Sequence, residues 1–143
     1  MDLAGLAMEL QLLNGKLRRR LRAQATIGDL TPSQIAVLVY LERNPEGSTV
    51  TELAQAEGVR SQSMGSTVAS LQSIGLLRGE SDPKDGRKTL LFLTEACRHK
   101  LAQGRSLRRD WLVHAMEAHL SEVEIDQLAA AIELLKKVVD HDP

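Results

Sequence analysis

Residues 82–94 have the sequence DPKDGRKTLLFLT, and this stretch decides the fold of the chain. Its first half combines Asp, Pro and Gly, which favour tight turns, with three cations: Lys84, Arg87 and Lys88. Its second half is a short apolar run that is typical of a β-strand. With residues 76–81 as the first arm, the stretch predicts a β-hairpin with a positively charged tip. Such a tip can hold an arginine towards a phosphate or a groove of DNA.

Two short helices are predicted immediately before this hairpin. Residues 49–52, with the sequence TVTE, form a capping box that begins a helix through Ala56. Gly58 lies in the turn that follows, and a second helix is predicted from about Ser61 to Ser73, ended by Gly75. One face of the second helix is apolar, with spacings of four, three and three residues: Met64, Val68, Leu71 and Ile74. The order helix, turn, helix, hairpin predicts a winged helix-turn-helix.

Longer helices are predicted on both sides of this unit. Residues 2–22 carry a leucine stripe at helical spacing: Leu3, Leu6, Leu10, Leu13 and Leu17. Residues 31–34 open another helix with a capping box, Thr94 caps a helix to about Leu120, and residues 121–124 begin the last helix. The predicted fold is therefore mainly α with a small β-hairpin wing, and with additional helices at the N- and C-terminal ends.

Composition limits the class of protein. The chain has 143 residues, of which 43% are hydrophobic, which suits one globular domain. Tyr40, Phe92 and Trp111 are its only aromatic residues, so the core must be aliphatic. Cys97 is the single cysteine and excludes an intramolecular disulfide. No apolar run approaches the roughly 20 residues that span a bilayer, and a cytoplasmic location is expected.

The charge distribution says more than the net charge of −1. Residues 60–100 contain seven Lys or Arg against four Asp or Glu, whereas residues 101–143 contain five against eight. The positive segment coincides with the predicted helix-turn-helix and wing. A local excess of positive charge favours a nucleic-acid partner. It is weak evidence alone, because many solvated protein surfaces carry a similar excess.

The chain resembles the MarR (multiple antibiotic resistance regulator) family of bacterial transcription factors. The family pattern places Gly-Leu after the recognition helix, then Asp-Pro-x-Asp-x-Arg, and Leu-Thr at the end of the wing. The corresponding segments here are Gly75-Leu76, residues 82–87 and Leu93-Thr94, and Glu52-Leu53-Ala54 matches the first helix of the motif. The specific part of the resemblance covers about residues 49–97.

The resemblance implies a function and an organisation. It implies one domain over residues 1–143, with a winged helix-turn-helix at 31–94 and helical dimerisation regions at 1–30 and 95–143. It implies a homodimer that binds double-stranded DNA at a palindromic operator, more often as a repressor than as an activator. Family members also respond to small phenolic or amphipathic ligands, so a small-molecule effector is a further expected partner.

The DNA-contacting residues follow from the same two elements. The N-terminal turns of a recognition helix face base edges, and the predicted residues there are Arg60, Ser61, Gln62, Ser63, Ser66 and Thr67. In the wing, the resemblance implies that Arg87 enters the minor groove and that Asp85 orients it. Lys84 and Lys88 are predicted phosphate contacts. Polar solvated surfaces are the structural alternative for each of these residues.

Several positions depart from the family pattern. Arg60 stands where a small capping residue is common, so we expect Ser61 to take over the cap. Gly65 lies inside the recognition helix, where it costs about 1 kcal/mol relative to Ala. Ser66 replaces a longer basic side chain, which shortens the reach of the helix. The wing is therefore predicted to provide an unusually large share of the affinity for DNA.

Other functions have less support in the sequence. A winged-helix module that binds proteins and no longer reads DNA is the main alternative, given the few basic residues at 61–74. No nucleophile motif, phosphate loop or metal-ligand spacing is found, so neither an enzyme nor a cofactor or metal site is predicted. Cys97 lies near a helix N-terminus, where the dipole would stabilise a reactive thiolate, but a small residue packed against the wing is the favoured interpretation.

Overall fold

The structure is a computed structural model that describes residues 2–25 and 27–143. These residues form six helices and one antiparallel pair of strands. In chain order the elements are α1 (Leu3–Gln24), α2 (Pro32–Arg43), α3 (Val50–Glu57), α4 (Ser61–Ser73), β1 (Leu77–Ser81), β2 (Thr89–Leu93), α5 (Glu95–His119) and α6 (Glu122–Val139). The predicted fold class is confirmed, and the bounds of α4 and β2 coincide with those predicted from the sequence.

Side-chain caps explain where most helices begin. The three predicted capping boxes are present, with both reciprocal hydrogen bonds in each: Thr31/Gln34, Thr49/Glu52 and Ser121/Glu124. Thr94 caps α5, because its hydroxyl accepts a hydrogen bond from the backbone N–H of Cys97 at 3.1 Å. Each cap satisfies backbone donors that have no partner inside the helix. These local contacts are the reason that helix starts were predictable.

The chain separates into two compact units. The winged unit comprises Thr26–Arg105, and the terminal unit comprises Met1–Ala25 and Ser106–Pro143. The winged unit contains a core of buried side chains from α2, α3, α4, the hairpin and the start of α5: Val37, Leu38, Leu41, Leu53, Ala54, Met64, Val68, Leu71, Leu76, Leu77, Leu91, Leu93 and Cys97. This core fixes the position of α4 and of the hairpin within the unit.

The hairpin packs with one face on this core. Leu77 pairs with Leu93, and Gly79 with Leu91, so the buried leucines share one side of the sheet. The loop before α3 adds a short bridge, since Ser48 and Leu91 exchange backbone hydrogen bonds of 3.2 and 2.8 Å. The first strand begins at Leu77, one residue later than the predicted Leu76.

One predicted core position is wrong. Ile74 was expected to continue the apolar face of α4, but 55% of its surface is exposed. It follows the last helical residue, and the chain then turns at Gly75, whose φ of +78° lies in the left-handed region that favours glycine. The helix ends at Ser73, so helical spacing no longer predicts the burial of Ile74.

The terminal unit has a different character. No residue of α1 or α6 is buried, although both helices are described over their whole length. A contact within this unit places the guanidinium of Arg20 5.4 Å from the ring centroid of Trp111, which is a cation–π geometry. Across the described helices of the chain, none is both long and apolar enough to cross a bilayer.

Candidate nucleic-acid interface

The apolar face of α4 orients its polar face outwards. Met64, Val68 and Leu71 are buried in the core of the winged unit. The predicted contact residues at the start of the helix are exposed: Arg60, Ser61, Gln62, Ser63 and Ser66. Thr67 is only partly exposed. Because three buried side chains fix one face of the helix, the opposite face presents short polar groups and the Gln62 amide.

The N-terminus of α4 has no side-chain cap, contrary to expectation. Ser61 is the first helical residue, and Arg60 occupies the capping position without a side-chain hydrogen bond to the helix. The expectation that Ser61 provides the cap is therefore wrong, because the helix begins one residue too early for its hydroxyl to serve the first turn. Uncapped N–H groups at a helix start can donate hydrogen bonds to an anion such as a phosphate.

Most hydroxyl groups of α4 are bonded to the backbone of the helix itself. Ser66 donates to the carbonyl of Gln62 at 3.4 Å, and Thr67 donates to that of Ser63 at 3.2 Å. A hydroxyl bonded in this way keeps acceptor lone pairs for another donor. Within the described residues, Gln62 has no side-chain hydrogen bond, so its amide can offer both a donor and an acceptor to a base edge.

The wing presents Arg87 with a defined orientation. Asp85 accepts hydrogen bonds from the backbone N–H and from Nε of Arg87, both at 3.1 Å, and from Nη2 at 3.4 Å. The Arg87 side chain is nevertheless 92% exposed. The hydrogen bond from the Arg87 side chain, followed by the one from its backbone, lowers the pKa of Asp85. The carboxylate therefore stays ionised at neutral pH and holds an exposed guanidinium in place.

Backbone contacts define the turn that carries the other wing cations. The N–H of Asp82 donates to the carbonyl of Lys88 at 2.9 Å, and the N–H of Lys88 donates to the carbonyl of Asp85 at 3.0 Å. Asp82 also accepts the backbone N–H of Lys84 at 2.9 Å. Lys84 and Lys88 are exposed at the tip. The wing is thus a closed turn with three cationic side chains in solvent.

The segment that joins α3 to the wing lacks acidic residues. No Asp or Glu occurs between Glu57 and Glu80, while Arg60 and Arg78 lie in that interval. The N-terminal end of a helix also carries a partial positive charge. The absence of nearby carboxylates means that nothing in this segment repels a phosphate backbone, despite the near-neutral chain.

The outer face of the hairpin contains a contact that sequence reasoning missed. The guanidinium of Arg78 lies 4.6 Å from the ring centroid of Phe92, its cross-strand partner, and pairs with Glu80. On Gly47, an added Cβ would lie 2.6 Å from Cζ of Phe92, so the ring is in close contact with the loop before α3. The alternation Arg78-Gly79-Glu80 was the available signal, since it places both charges on the face away from the core.

Cys97 is part of the core and not of the exposed surface. Its side chain is fully buried, and this burial raises the pKa of the thiol, with Glu42 adding to the effect. Burial disfavours the thiolate, which counts against the alternative of a reactive Cys97. The favoured interpretation of a small residue packed behind the wing is confirmed.

Comparisons with known proteins agree with this geometry. A family model described as "MarR family" matches residues 28–88. An HTH-type transcriptional regulator of Mycobacterium tuberculosis is 33% identical over 140 residues, covering 98% of this chain and 96% of the relative. A crystal structure of a transcriptional regulator protein of Pseudomonas aeruginosa has a TM-score of 0.82 and 34% identity, covering 97% of this chain and 96% of its own.

A further structural neighbour shows the fold with nucleic acid. A mutant of S. aureus MepR, bound to an oligodeoxyribonucleotide, has a TM-score of 0.75 over 94% of this chain and 98% of its own. Its sequence identity is 18%, so the likeness concerns the fold alone. The predicted element order, the wing motif and these matches converge on a DNA-binding winged helix.

Proposed function

The chain belongs to the MarR family of transcriptional regulators, and on that premise we propose that it is a homodimeric repressor of a palindromic operator. DNA reading is assigned to α4 and the wing of each copy. Two copies related by a twofold axis would present two recognition helices to successive turns of the major groove, which matches a palindrome. Occupation of the operator would itself exclude another protein from the same DNA.

The observation that carries the dimer is the unpartnered apolar surface of the terminal unit. In α1 every stripe leucine keeps more than a third of its surface exposed: Leu3 78%, Leu6 46%, Leu10 38%, Leu13 64% and Leu17 39%. In α6 the apolar positions are also exposed, among them Ile125 38%, Ile132 43% and Leu135 37%. Two helices with continuous exposed stripes favour association with a second copy, because burial of apolar surface contributes about 25 cal/mol per Å².

The exposed groups of the winged unit support specific reading. Gln62 can form paired hydrogen bonds with adenine, and Ser61, Ser63 and Ser66 are short enough to allow close approach of α4 to bases or phosphates. The Arg87 guanidinium, held by Asp85, suits the negative potential of a narrow minor groove. Lys84 and Lys88 are assigned to phosphates beside that groove.

Selection of bound sequences from random DNA tests the proposal. The wild-type protein should enrich one palindromic sequence, and its affinity should fall steeply with salt concentration, because bound lysines and arginines release counterions from DNA. Enrichment of no sequence, with only weak binding at low salt, would favour the alternative that the winged helix binds another protein.

Arg87→Ala is the sharpest test of the wing. We expect its operator affinity to fall about ten-fold or more, because the guanidinium contacts the groove directly. Lys84→Ala removes the same charge from the same turn and is the matched control. Because Lys84 is assigned to a phosphate, its loss should weaken binding to all DNA sequences alike, and by less than the loss of Arg87 weakens operator binding. Equal losses in the two variants would show that charge alone acts and would contradict the assignment of Arg87.

A pair of substitutions on neighbouring α1 positions tests the dimer. Leu13 belongs to the stripe, whereas Leu12 is turned about 100° from it around the helix axis, and their exposures are similar at 64% and 69%. Leu13→Asp should shift the protein from dimer to monomer in sedimentation equilibrium and weaken operator binding. Leu12→Asp introduces the same charge and should leave the dimer intact. A dimer that tolerates both substitutions would contradict the assigned interface.

Relief by a small amphipathic ligand completes the proposal. A ligand can lower operator occupancy only if it binds the free dimer more tightly than the DNA complex. A thermal-shift screen would therefore seek compounds that raise the melting temperature of the free protein and also raise the Kd for the operator. Compounds that raise the melting temperature without raising the Kd for the operator would not be effectors.

A further inference from the structure

The recognition helix α4 is weakly determined by its own sequence. Of its 13 residues, seven are Ser, Thr or Gly, which are poorer helix formers than Ala, Leu or Gln. Its N-terminus has no side-chain cap. Four hydroxyl groups bond backbone carbonyls of the same helix, a contact that slightly destabilises helices: Ser66, Thr67, Ser70 and Ser73. The geometry of α4 must therefore depend on contacts with other elements.

Apolar packing determines which face of α4 is buried, and a directional bond can restrict the rotation of the helix further. Met64, Val68 and Leu71 bury one face of α4, but the hydrophobic effect has no direction. A directional contact is present at Ser70. Its hydroxyl accepts a hydrogen bond from Nε2 of Gln34 at 3.0 Å, across 36 residues of sequence. Among the described residues, this is the single side-chain to side-chain hydrogen bond between α4 and another element.

The Gln34 side chain is itself held in place by the capping box of α2. It is the third residue of α2, and its Oε1 accepts the N–H of Thr31 at 2.8 Å in the capping box. The N–H of Thr31 can only donate, so the oxygen of the amide must face Thr31 and the nitrogen faces Ser70. One amide therefore caps α2 with its oxygen and reaches α4 with its nitrogen.

The bond network continues from Ser70 towards the start of α4. Ser70 donates its own proton to the carbonyl of Thr67 at 2.7 Å, so its hydroxyl is both a donor and an acceptor. Ser63, Thr67 and Ser70 follow one another at spacings of four and three residues and share one side of the helix. Rotation of α4 about its axis would break the bond at Ser70 and would also turn Ser63 and Thr67.

We propose that Gln34 is a positioning residue that sets the orientation of the recognition helix through Ser70. The proposal rests on the proposed function, since orientation of α4 matters there for discrimination between DNA sequences. Gln34 contacts no DNA in this scheme. It acts by narrowing the set of orientations in which Gln62 and the N-terminal serines of α4 meet the groove.

Ser70→Ala is the informative variant, and Ser73→Ala is its matched control. Both remove a hydroxyl that bonds the α4 backbone, but only Ser70 is bonded by another element. Alanine favours helix, so Ser70→Ala should fold with a melting temperature close to that of wild type. In the DNA-free protein we expect amides of residues 63–70 to exchange about three- to ten-fold faster, as expected for loss of one hydrogen bond. Ser73→Ala should show no such change.

DNA binding supplies the second measurement. The ratio of affinities for the selected operator and for unrelated DNA should fall about three- to ten-fold in Ser70→Ala and stay at the wild-type value in Ser73→Ala. A double-mutant cycle with Gln34→Leu separates the hydrogen bond between Gln34 and Ser70 from the capping contact between Gln34 and Thr31. The lost capping contact is common to both backgrounds and cancels, and the two substitutions should be clearly non-additive.

The outcomes separate this inference from the proposed function. Unchanged amide exchange in Ser70→Ala, or additive effects of the two substitutions, would overturn the role of Gln34. A lower melting temperature with an unchanged affinity ratio would also overturn it, because the contact would then be merely structural. A wild-type protein that enriches no DNA sequence would instead refute the proposed function, and amide exchange would still decide whether Gln34 positions α4.

Discussion

The winged unit and the terminal unit bury their apolar residues in different ways. All 13 buried hydrophobic side chains of the described residues lie in the winged unit, whereas α1 and α6 contain none. A shortage of leucine in the terminal unit is not the reason, since α1 alone contains seven leucines. One set of leucines is buried within a single copy of the chain, and the other set keeps much of its surface exposed.

The difference separates two ways in which a sequence encodes stability. The winged unit closes a core around Leu38, Leu53 and Leu71, so one copy suffices to hold α4 and the wing in place. The terminal helices carry stripes whose burial requires another surface, which the proposed function assigns to a second copy. Binding geometry and assembly are therefore encoded in separate parts of the chain, and they should respond separately to mutation.

The largest expected effect comes from the core of the winged unit. Leu53 is fully buried, so Leu53→Ala should lower the free energy of unfolding by about 2–5 kcal/mol through lost burial and a residual cavity. The measurement is chemical denaturation followed by circular dichroism. Leu12→Ala is the control, because this leucine is 69% exposed and should change the free energy by less than about 0.5 kcal/mol. Similar losses of unfolding free energy in the two variants would contradict the difference in burial between the two units.

An intermediate effect is expected where the wing meets the loop before α3. A Cβ on Gly47 would lie 2.6 Å from the Phe92 ring, and φ is +93°. Gly47→Ala should therefore cost about 1–3 kcal/mol in the free energy of unfolding and displace the wing. Operator affinity and thermal unfolding are the measurements.

Gly28→Ala distinguishes the two causes of that loss. Its φ is +82°, but an added Cβ would meet no atom within 4 Å. It should therefore cost only the backbone strain, about 1 kcal/mol, and leave DNA binding unchanged. If both variants lose equal stability and keep equal affinity, the contact between Phe92 and Gly47 does not position the wing.

Local signals made most of the fold predictable. The capping boxes at Thr31, Thr49 and Ser121 mark helix starts with side chains only three residues apart, and all three are present. The prediction for Ser61 failed because a cap depends on which residue leaves the helical conformation first, and several adjacent polar residues compete for that place. Ile74 failed for a related reason, since helical spacing does not show where a helix stops.

Contacts between distant residues were beyond reach of pattern analysis. The bond between Gln34 and Ser70 spans 36 residues, and the capping role of Gln34 fully explained its presence in the sequence. The stacking of Arg78 on Phe92 depends on strand register, which is settled by packing of Leu77, Leu91 and Leu93. The Asp85–Arg87 pair was implied by the family resemblance, and the structure contains it within one turn. The DNA contacts assigned to α4 and the wing remain predictions.

The smallest expected effect concerns a surface carboxylate of the terminal unit. Oε1 of Glu124 accepts the N–H of Ser121 at 3.0 Å, and hydrogen bonds from the backbone and then the side chain of Ser121 lower the pKa of Glu124. A folded-state pKa below the unfolded-state value means that the ionised cap contributes its full stability above the unfolded-state value. That contribution is lost as pH falls through the folded-state pKa.

Glu124→Gln should remove this pH dependence without removing the cap, because a glutamine oxygen accepts the same N–H. The measurement is the melting temperature between pH 7 and about pH 3, near and below the usual carboxylate range. The variant should match wild type at neutral pH and show a shallower decline in acid. Glu122→Gln removes the same charge from the same helical turn without a capping bond, so it should retain the wild-type slope. If Glu122→Gln flattens the decline equally, general charge in the first turn of α6, and not the cap, sets the acid response.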